Sequence, residues 1–226
     1  MTCTRAISLV AALCSTALLS LPASANGGHF QVEDSSLIPP QTCSLETWGT
    51  REEPNTTWVT NPTCNFTGGS DWSLPVTYDV ERDDIASVGL EYKRVLLNTG
   101  SGPALALMAG GQYQRATEEV DELFVTIPLS FQPMDMLALH VNGGVLHDRL
   151  ADETYATWGL AATVKTISGP VLIAEMVDDD RREPLYGLGA RFDIGSTRWT
   201  LDLGVSRDTQ VDETAYTLGL NIPRLF

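Results

Sequence analysis

The sequence predicts an all-β fold: an antiparallel, up-and-down transmembrane β-barrel of about 12 strands, with short periplasmic turns and longer acidic outer loops. Three observations predict it. The chain starts with an export leader, it continues as runs of about ten residues that alternate apolar with small or polar side chains, and it ends at Phe226 just past such a run. In that last run Arg224, Ile222, Leu220, Leu218 and Tyr216 share one face, and Asn221, Gly219 and Thr217 share the other. A strand with one apolar and one small, polar side suits a wall between lipid and water.

The leader is the first element. Arg5 supplies a positive n-region, residues 6–21 an apolar core, and Ala23-Ser24-Ala25 a small-residue cleavage site. The apolar run falls short of the ~20 residues a spanning helix needs, so residues 1–25 read as a cleaved signal peptide. Bulky Leu13 before Cys14 argues against a lipid-modified cysteine. After Asn26 no apolar run reaches helical spanning length, so a membrane crossing must use strands. Residues 26–41, with Pro39-Pro40, are left as an N-terminal periplasmic segment or a lumen plug, and 42–226 as the barrel. The net charge is −15, and removing Arg5 makes the exported chain more acidic still. That excludes nucleic acid and an anionic bilayer surface as partners.

The first hairpin carries its own register. Cys3 and Cys14 leave with the leader, so Cys43 and Cys64 form one disulfide in an oxidising compartment. Their midpoint falls between Glu53 and Pro54 in a turn-like stretch. A hairpin folded there sets Leu45 opposite Pro62, Thr47 opposite Thr60 and Gly49 opposite Trp58. Two thiols alone are too few for a metal site.

The remaining strands repeat the unit. The runs are 42–52, 56–66, 71–80, 85–96, 102–114, 122–132, 135–147, 154–165, 170–177, 185–193, 198–207 and 214–222. One face reads Trp72, Leu74, Val76, Tyr78, then Leu123, Val125, Ile127, Leu129, Phe131, and later Trp199, Leu201, Leu203, Val205. The other carries Thr77, Asp79, Glu91, Lys93, His140, Asn142, Gly159, Gly187, Gly189, Arg191, Asp202 and Gly204. In a membrane barrel the polar face lines the lumen. The connections alternate as well: small residues at 67–70, 98–101, 133–134, 167–169 and 195–196, acidic stretches at 81–84, 118–121, 148–153, 178–183 and 208–213. Both termini then lie at the periplasmic rim of a Gram-negative outer membrane.

Four stretches stand out: Val32-Glu33-Asp34, Pro39-Pro40, Leu45-Glu46-Thr47-Trp48, and Ala174-Glu175-Met176-Val177-Asp178-Asp179-Asp180-Arg181-Arg182 before the strand at 186–192. They resemble the small outer-membrane barrels grouped with channels of the phenol meta-degradation type, the MetA-pathway of phenol degradation family. The resemblance implies a barrel with a passive-transport role and names no substrate. The chain departs from that group in its short length and its cysteine pair.

The expected function is a narrow passive channel or uptake pore with a cation-leaning lumen. Its candidate lining is Glu46, Asp79, Glu91, Lys93, His140, Glu175, Arg191 and Asp202. A charged ring at close quarters selects by sign. Glu91 or Glu175 could equally be struts paired with Lys93 or Arg191. The alternative is a structural or surface-interaction barrel acting through its acidic loops. Asp178-Asp179-Asp180 and the carboxylates of 118–122 are the hard-oxygen type that divalent cations prefer, though without EF-hand spacing. Outer-membrane lipid and lipopolysaccharide are the expected surroundings, with small solutes as possible cargo, and the strand ending at Phe226 is the expected signal for the barrel-assembly machinery. No cofactor or metal is expected, and no enzymatic activity. The histidines are His29, His140 and His147, there is no G-x-S-x-G, and His140 and His147 fall on opposite faces of one strand.

Overall fold

The computed structural model describes residues 29–225, apart from 101, 168 and 182. The expected leader with its cleavage site, residues 26–28 and Phe226 lie outside the described residues.

Thirteen strand segments form one antiparallel sheet. They are β1 (Thr42–Glu52), β2 (Asn55–Asn65), β3 (Ser70–Ser73), β4 (Val76–Asp79), β5 (Asp84–Asn98), β6 (Ala104–Gln114) and β7 (Glu119–Met134). β8 (Leu137–Asp148), β9 (Glu153–Lys165), β10 (Val171–Asp179), β11 (Leu185–Ile194), β12 (Trp199–Asp208) and β13 (Glu213–Ile222) follow. β3 and β4 are two halves of one stave, because each pairs with β2 on one side and β5 on the other. The barrel therefore has 12 staves. It closes through β1 and β13, from Leu45 opposite Ile222 to Glu52 opposite Ala215. Closure gives every strand two neighbours and leaves no edge to be satisfied in lipid.

The stave read from the sequence as one run, 71–80, breaks at Leu74-Pro75. Proline has no N–H to give the ladder. Its carbonyl is used instead: Gly89 N donates to Pro75 O at 2.7 Å, and a Cβ on Gly89 would stand 2.7 Å from the proline ring.

The β1–β2 register is the one the cysteine spacing requires. Cys43 faces Cys64, Leu45 faces Pro62, Thr47 faces Thr60, and Gly49 faces Trp58. The disulfide is formed. A Cβ on Gly49 would lie 2.9 Å from the Trp58 indole, so the glycine is what lets the ring lie flat across the strand.

Side chains divide as they do in a membrane wall. Leu123, Val125 and Ile127 of β7, Trp158 and Leu160 of β9, Leu188 of β11 and Leu218 of β13 are exposed on the outside. His140, Asn142, Thr163, Glu175, Arg191 and Asp202 are buried inside. This inversion of the soluble pattern is that of an outer-membrane β-barrel.

The two rims differ in chemistry more than in length. The longest acidic connection, 180–184, is matched by 99–103 and 166–170 on the opposite rim, because pairing runs into the acidic stretches and the hairpins continue to their tips. Many rim carboxylates are turn-formers. Asp148 Oδ1 accepts the amides of Leu150 and Ala151, Asp208 Oδ1 those of Gln210 and Val211, and Asp79 Oδ1 that of Arg82. Four of these tips end on a left-handed residue: Asp83, Glu118, Asp152 and Asp212. Asx turns and tolerance of positive φ account for much of the acidic rim.

Candidate functional site

The interior is occupied by the chain's own residues 29–41. From Thr42 at the rim holding both barrel ends, the segment crosses from β2 and β3 past β7 and β8 to β9–β13. Glycines on the inner face make its path. A Cβ on Gly189 would collide with the Phe30 ring, one on Gly204 would meet His29, and one on Gly159 would stand 3.0 Å from Val32. Phe30 and Val32 are buried in these slots. His29 stacks against Phe30 with ring centroids 4.0 Å apart. Neither nitrogen of His29 has a hydrogen-bond partner among the described residues. Burial foremost holds its imidazole down to about 4, Asp202 pulling it up and Arg191 pushing it further down.

Wall side chains satisfy the segment's backbone, which buried peptide groups require. Glu175 Oε2 accepts the amides of Gln31 and Val32 at 2.9 and 3.1 Å. Asn142 makes a reciprocal pair with Glu33, accepting its N–H at 2.7 Å and donating to its carbonyl at 2.8 Å. Ser35 N donates to Ser130 Oγ at 2.9 Å, Ile38 N to Asp71 Oδ2 at 3.0 Å, and Asn65 Nδ2 to Ile38 O at 3.0 Å. Lys93 Nζ bridges Glu33 at 2.8 Å and Asp34 at 3.5 Å. Burial alone would raise the Asp34 carboxyl, but Lys93, Ser36 and His140 together hold it below the usual carboxylate range.

Every sequence-predicted lumen residue can now be placed. Arg191 forms a bidentate pair with Asp202 at 2.7 and 2.6 Å, and Asn221 Nδ2 donates to Asp202 Oδ2 at 2.7 Å. The strut pairs seen among the described residues are others than Glu91 or Glu175 with Lys93 or Arg191, the pairings considered from sequence. Lys93 reaches the inner segment, Glu175 caps its amides, and Arg191 takes Asp202, one strand away in direct register. His140 Nδ1 lies 2.8 Å from Ser130 Oγ. This serine was missed in the sequence; its oxygen already receives the Ser35 amide, and His140 Nε2 has no partner among the described residues to orient it. The pair is a docking contact for the segment. Asp79 sits at the acidic rim, 3.4 Å from Arg82. Glu46 and Glu91 line a cavity of about 230 Å³ with Glu33, Asp34, Asp71 and Lys93.

A family profile described as "Uncharacterised conserved protein UCP029691" matches residues 14–223. The chain belongs to that family. The phenol meta-degradation group is not the family so identified, and the resemblance holds at the level of an outer-membrane barrel. No curated protein matches the chain. Similar solved structures are outer-membrane porins. KdgM porin matches at a TM-score of 0.64 with 11% identity, covering 79% of this chain and 98% of that one. A second KdgM structure, "in complex with disordered oligogalacturonate", matches at 0.65 with 11% identity and the same coverage, 79% and 98%. NanC porin matches at 0.63 with 10% identity, covering 79% and 98%. Omp33 of Acinetobacter baumannii matches at 0.55 with 10% identity, covering 84% and 100%. At such identities the likeness is one of fold.

In this family member the acidic triplet at 178–180 does not act as one cluster. Asp178 and Asp179 point to opposite sides of β10, and Asp180 is exposed. Asp179 is buried and held by Arg181 at 2.8 and 3.1 Å, while the Arg181 guanidinium also covers the Tyr155 ring at 4.4 Å. Among the described residues no group of three His, Cys, Asp or Glu is placed to hold a metal ion.

Proposed function

We propose that the protein is a narrow passive channel of the Gram-negative outer membrane, with a cation-leaning lumen and with residues 26–41 serving as its plug. The observation that carries this reading is the acid-lined cavity beside the inner segment, where five carboxylates (Glu33, Asp34, Glu46, Asp71 and Glu91) surround one ammonium, Lys93. Carboxylates in a confined polar space favour cations over anions. Oligogalacturonate, named with one KdgM structure, is a polyanion, and this lining would repel it. Small cations and neutral solutes are the fitting cargo. The likeness to channels of the phenol meta-degradation type belongs to the same proposal, supporting passive transport without naming a solute. Glu46 and Glu91 act in it as lining, Glu175, Lys93 and His140 as plug anchors, Arg191 and Asp202 as a wall strut, and Asp79 as a rim residue. The acidic rim faces lipopolysaccharide and its bound cations, the last strand is read by the barrel-assembly machinery, and no catalysis is assigned.

A second reading, a surface barrel without transport that acts through its acidic rim, is favoured by one observation: residues 29–41 cross the interior and bond to walls on opposite sides. Single-channel recording in a planar bilayer under a salt gradient separates the two. Discrete steps with a cation-selective reversal potential are expected of the channel. A silent bilayer from folded barrel would overturn it in favour of the second reading.

A further inference from the structure

The outer wall carries a charge where its apolar pattern calls for none. On β5 Lys93 points inward to Glu33 and Asp34, so Arg94 beside it points outward, and it is exposed on the lipid-facing side. Its cross-strand neighbours are Ser70 on β3 and Leu107 on β6, and it makes no ion pair among the described residues. Other outward charges, such as Arg51, Asp178 and Arg207, sit one residue from a strand end. Arg94 lies four residues inside Asn98, the end of β5 at the rim that holds both barrel ends. That is about 13 Å of strand and roughly 10 Å of depth at the usual tilt, close to the boundary between headgroups and acyl chains on the periplasmic side. An unpaired arginine on the lipid face is destabilising unless an anion meets it.

Next to Arg94 the wall is hollowed. β6 presents only Ala109 and Gly111 outward between Leu90 and Tyr92 of β5 and Leu123 of β7, and the groove so made holds about 630 Å³. That is within the ~300–1,000 Å³ of small-molecule sites. Its lining is apolar apart from the tyrosines and Glu91, whose side chain lines the inner cavity instead. Leu90, Tyr92 and Arg94 follow one another on the same face of β5, so the groove leads to the guanidinium. An apolar trough that leads to an unpaired guanidinium matches the two chemistries of one molecule, an acyl chain and its phosphate. We propose that this groove binds an anionic glycerophospholipid of the inner leaflet, one acyl chain lying over Ala109 and Gly111 and its phosphodiester held by Arg94. The depth of Arg94 assigns the inner leaflet and so excludes lipopolysaccharide. The site belongs to the outside of the wall and holds whether or not the barrel conducts.

The test is native mass spectrometry of the folded, delipidated mature protein released from detergent, with dipalmitoyl phosphatidylglycerol, dipalmitoylglycerol or lipid A added. Phosphatidylglycerol should bind at least roughly tenfold more tightly than dipalmitoylglycerol, and its binding should weaken roughly tenfold or more in Arg94→Gln and in Ala109→Leu. Both side chains face outward and hold no other part of the wall, so both variants retain the fold; heat-modifiable mobility on a gel checks it. Equal binding of dipalmitoylglycerol, preference for lipid A, or full binding by either folded variant would overturn the proposal. So would a protein dimer, lost in Ala109→Leu, in place of the lipid adduct. The comparison of the three lipids on the unsubstituted protein decides the matter even where a variant fails to fold.

Discussion

The inner wall has two halves that meet residues 29–41 differently. Across β9–β13 the wall is regular: Gly159, Gly189 and Gly204 face inward, Val32, Phe30 and His29 fill the space they leave, and Glu175 caps the backbone beside them. Across β2–β8 it is irregular. The register shifts between Thr77 and Tyr78, Val95 and Leu97, Gln112 and Tyr113, and Phe131 and Met134 all lie there, as do Pro62, Pro75 and Pro128. On that side the segment touches the wall through polar side chains and leaves a cavity of carboxylates. Both halves show the same outward alternation, so alternation alone builds a wall. The volume of the inward residue decides whether that wall grips the segment or stands off from it.

The largest expected effect is on the gripping half itself. Arg191 and Asp202 are buried at 8% and 0% exposure and bonded twice. Asp202→Ala removes the two charge-assisted bonds that hold a buried guanidinium, which destabilises by up to about 3–5 kcal/mol. Urea unfolding in lipid vesicles checks this, and a loss under ~1 kcal/mol would mean the pair behaves as an exposed one. Phe30→Ala comes next. Emptying a buried aromatic site weakens packing by about 3–5 kcal/mol, and here the loss falls on docking of the segment rather than on the barrel. Proteinase K should then cut within 29–41 in the variant while the barrel stays intact, and single-channel current should rise. Gly189→Leu should do the same from the wall side. Unchanged protection in both variants would show that the glycine slots are not what holds the segment.

Proton-linked release is smaller and separates the two anchors by pH. His29 and Asp34 both bind protons more weakly docked than released, so both favour docking at neutral pH. His29 gives up its share as pH falls from the ordinary imidazole range, ~6.5, to about 4. Asp34, held by Lys93 on the cavity side, gives up its share only below the ordinary carboxylate range, ~3.9. Protease accessibility of the segment should therefore rise in two stages on acidification, and His29→Gln should remove the upper stage alone. A single stage untouched by that substitution would assign the pH response to other groups.

Much of this was legible in the sequence, and the reasons for the rest are physical. The Cys43–Cys64 spacing fixed a register that puts Gly49 beneath Trp58, because a hairpin has one turn and one count. The inward set was legible from period-2 alternation. The break at Pro75 was also in plain view, since a proline inside a predicted strand removes a ladder donor. What alternation could not reveal was partner choice. Lys93 bonds Glu33 and Asp34 from a segment with no periodicity, and Glu175 bonds main-chain amides, which carry no residue signature. The one available signal was the repeated inward glycine on neighbouring strands, which marks space reserved for something other than the wall. The rim carboxylates carry a local role that their residue type does not reveal: Asp148 and Asp208 are engaged in holding their own turns.

The smallest expected effect tests that last point, away from both halves of the interior. Glu118 ends the β6–β7 tip with φ at 58°, a left-handed conformation that strains an L side chain by about 1–2 kcal/mol. Asp83, Asp152 and Asp212 end their tips in the same way, but an aspartate can offset part of the strain with a local hydrogen bond, which the longer glutamate reaches less easily. If the rim carboxylate at this position serves the turn, Glu118→Gly should stabilise the barrel by up to about 1 kcal/mol in urea unfolding and leave current and cation-dependent behaviour unchanged. If it serves the surface, the substitution should alter the dependence of the barrel's stability on divalent cations while the gain from relieved strain remains. Asp152→Gly is the matched comparison: its smaller relief of strain should give a smaller gain, and equal gains at the two tips would show that side-chain length plays no part in how this rim is built.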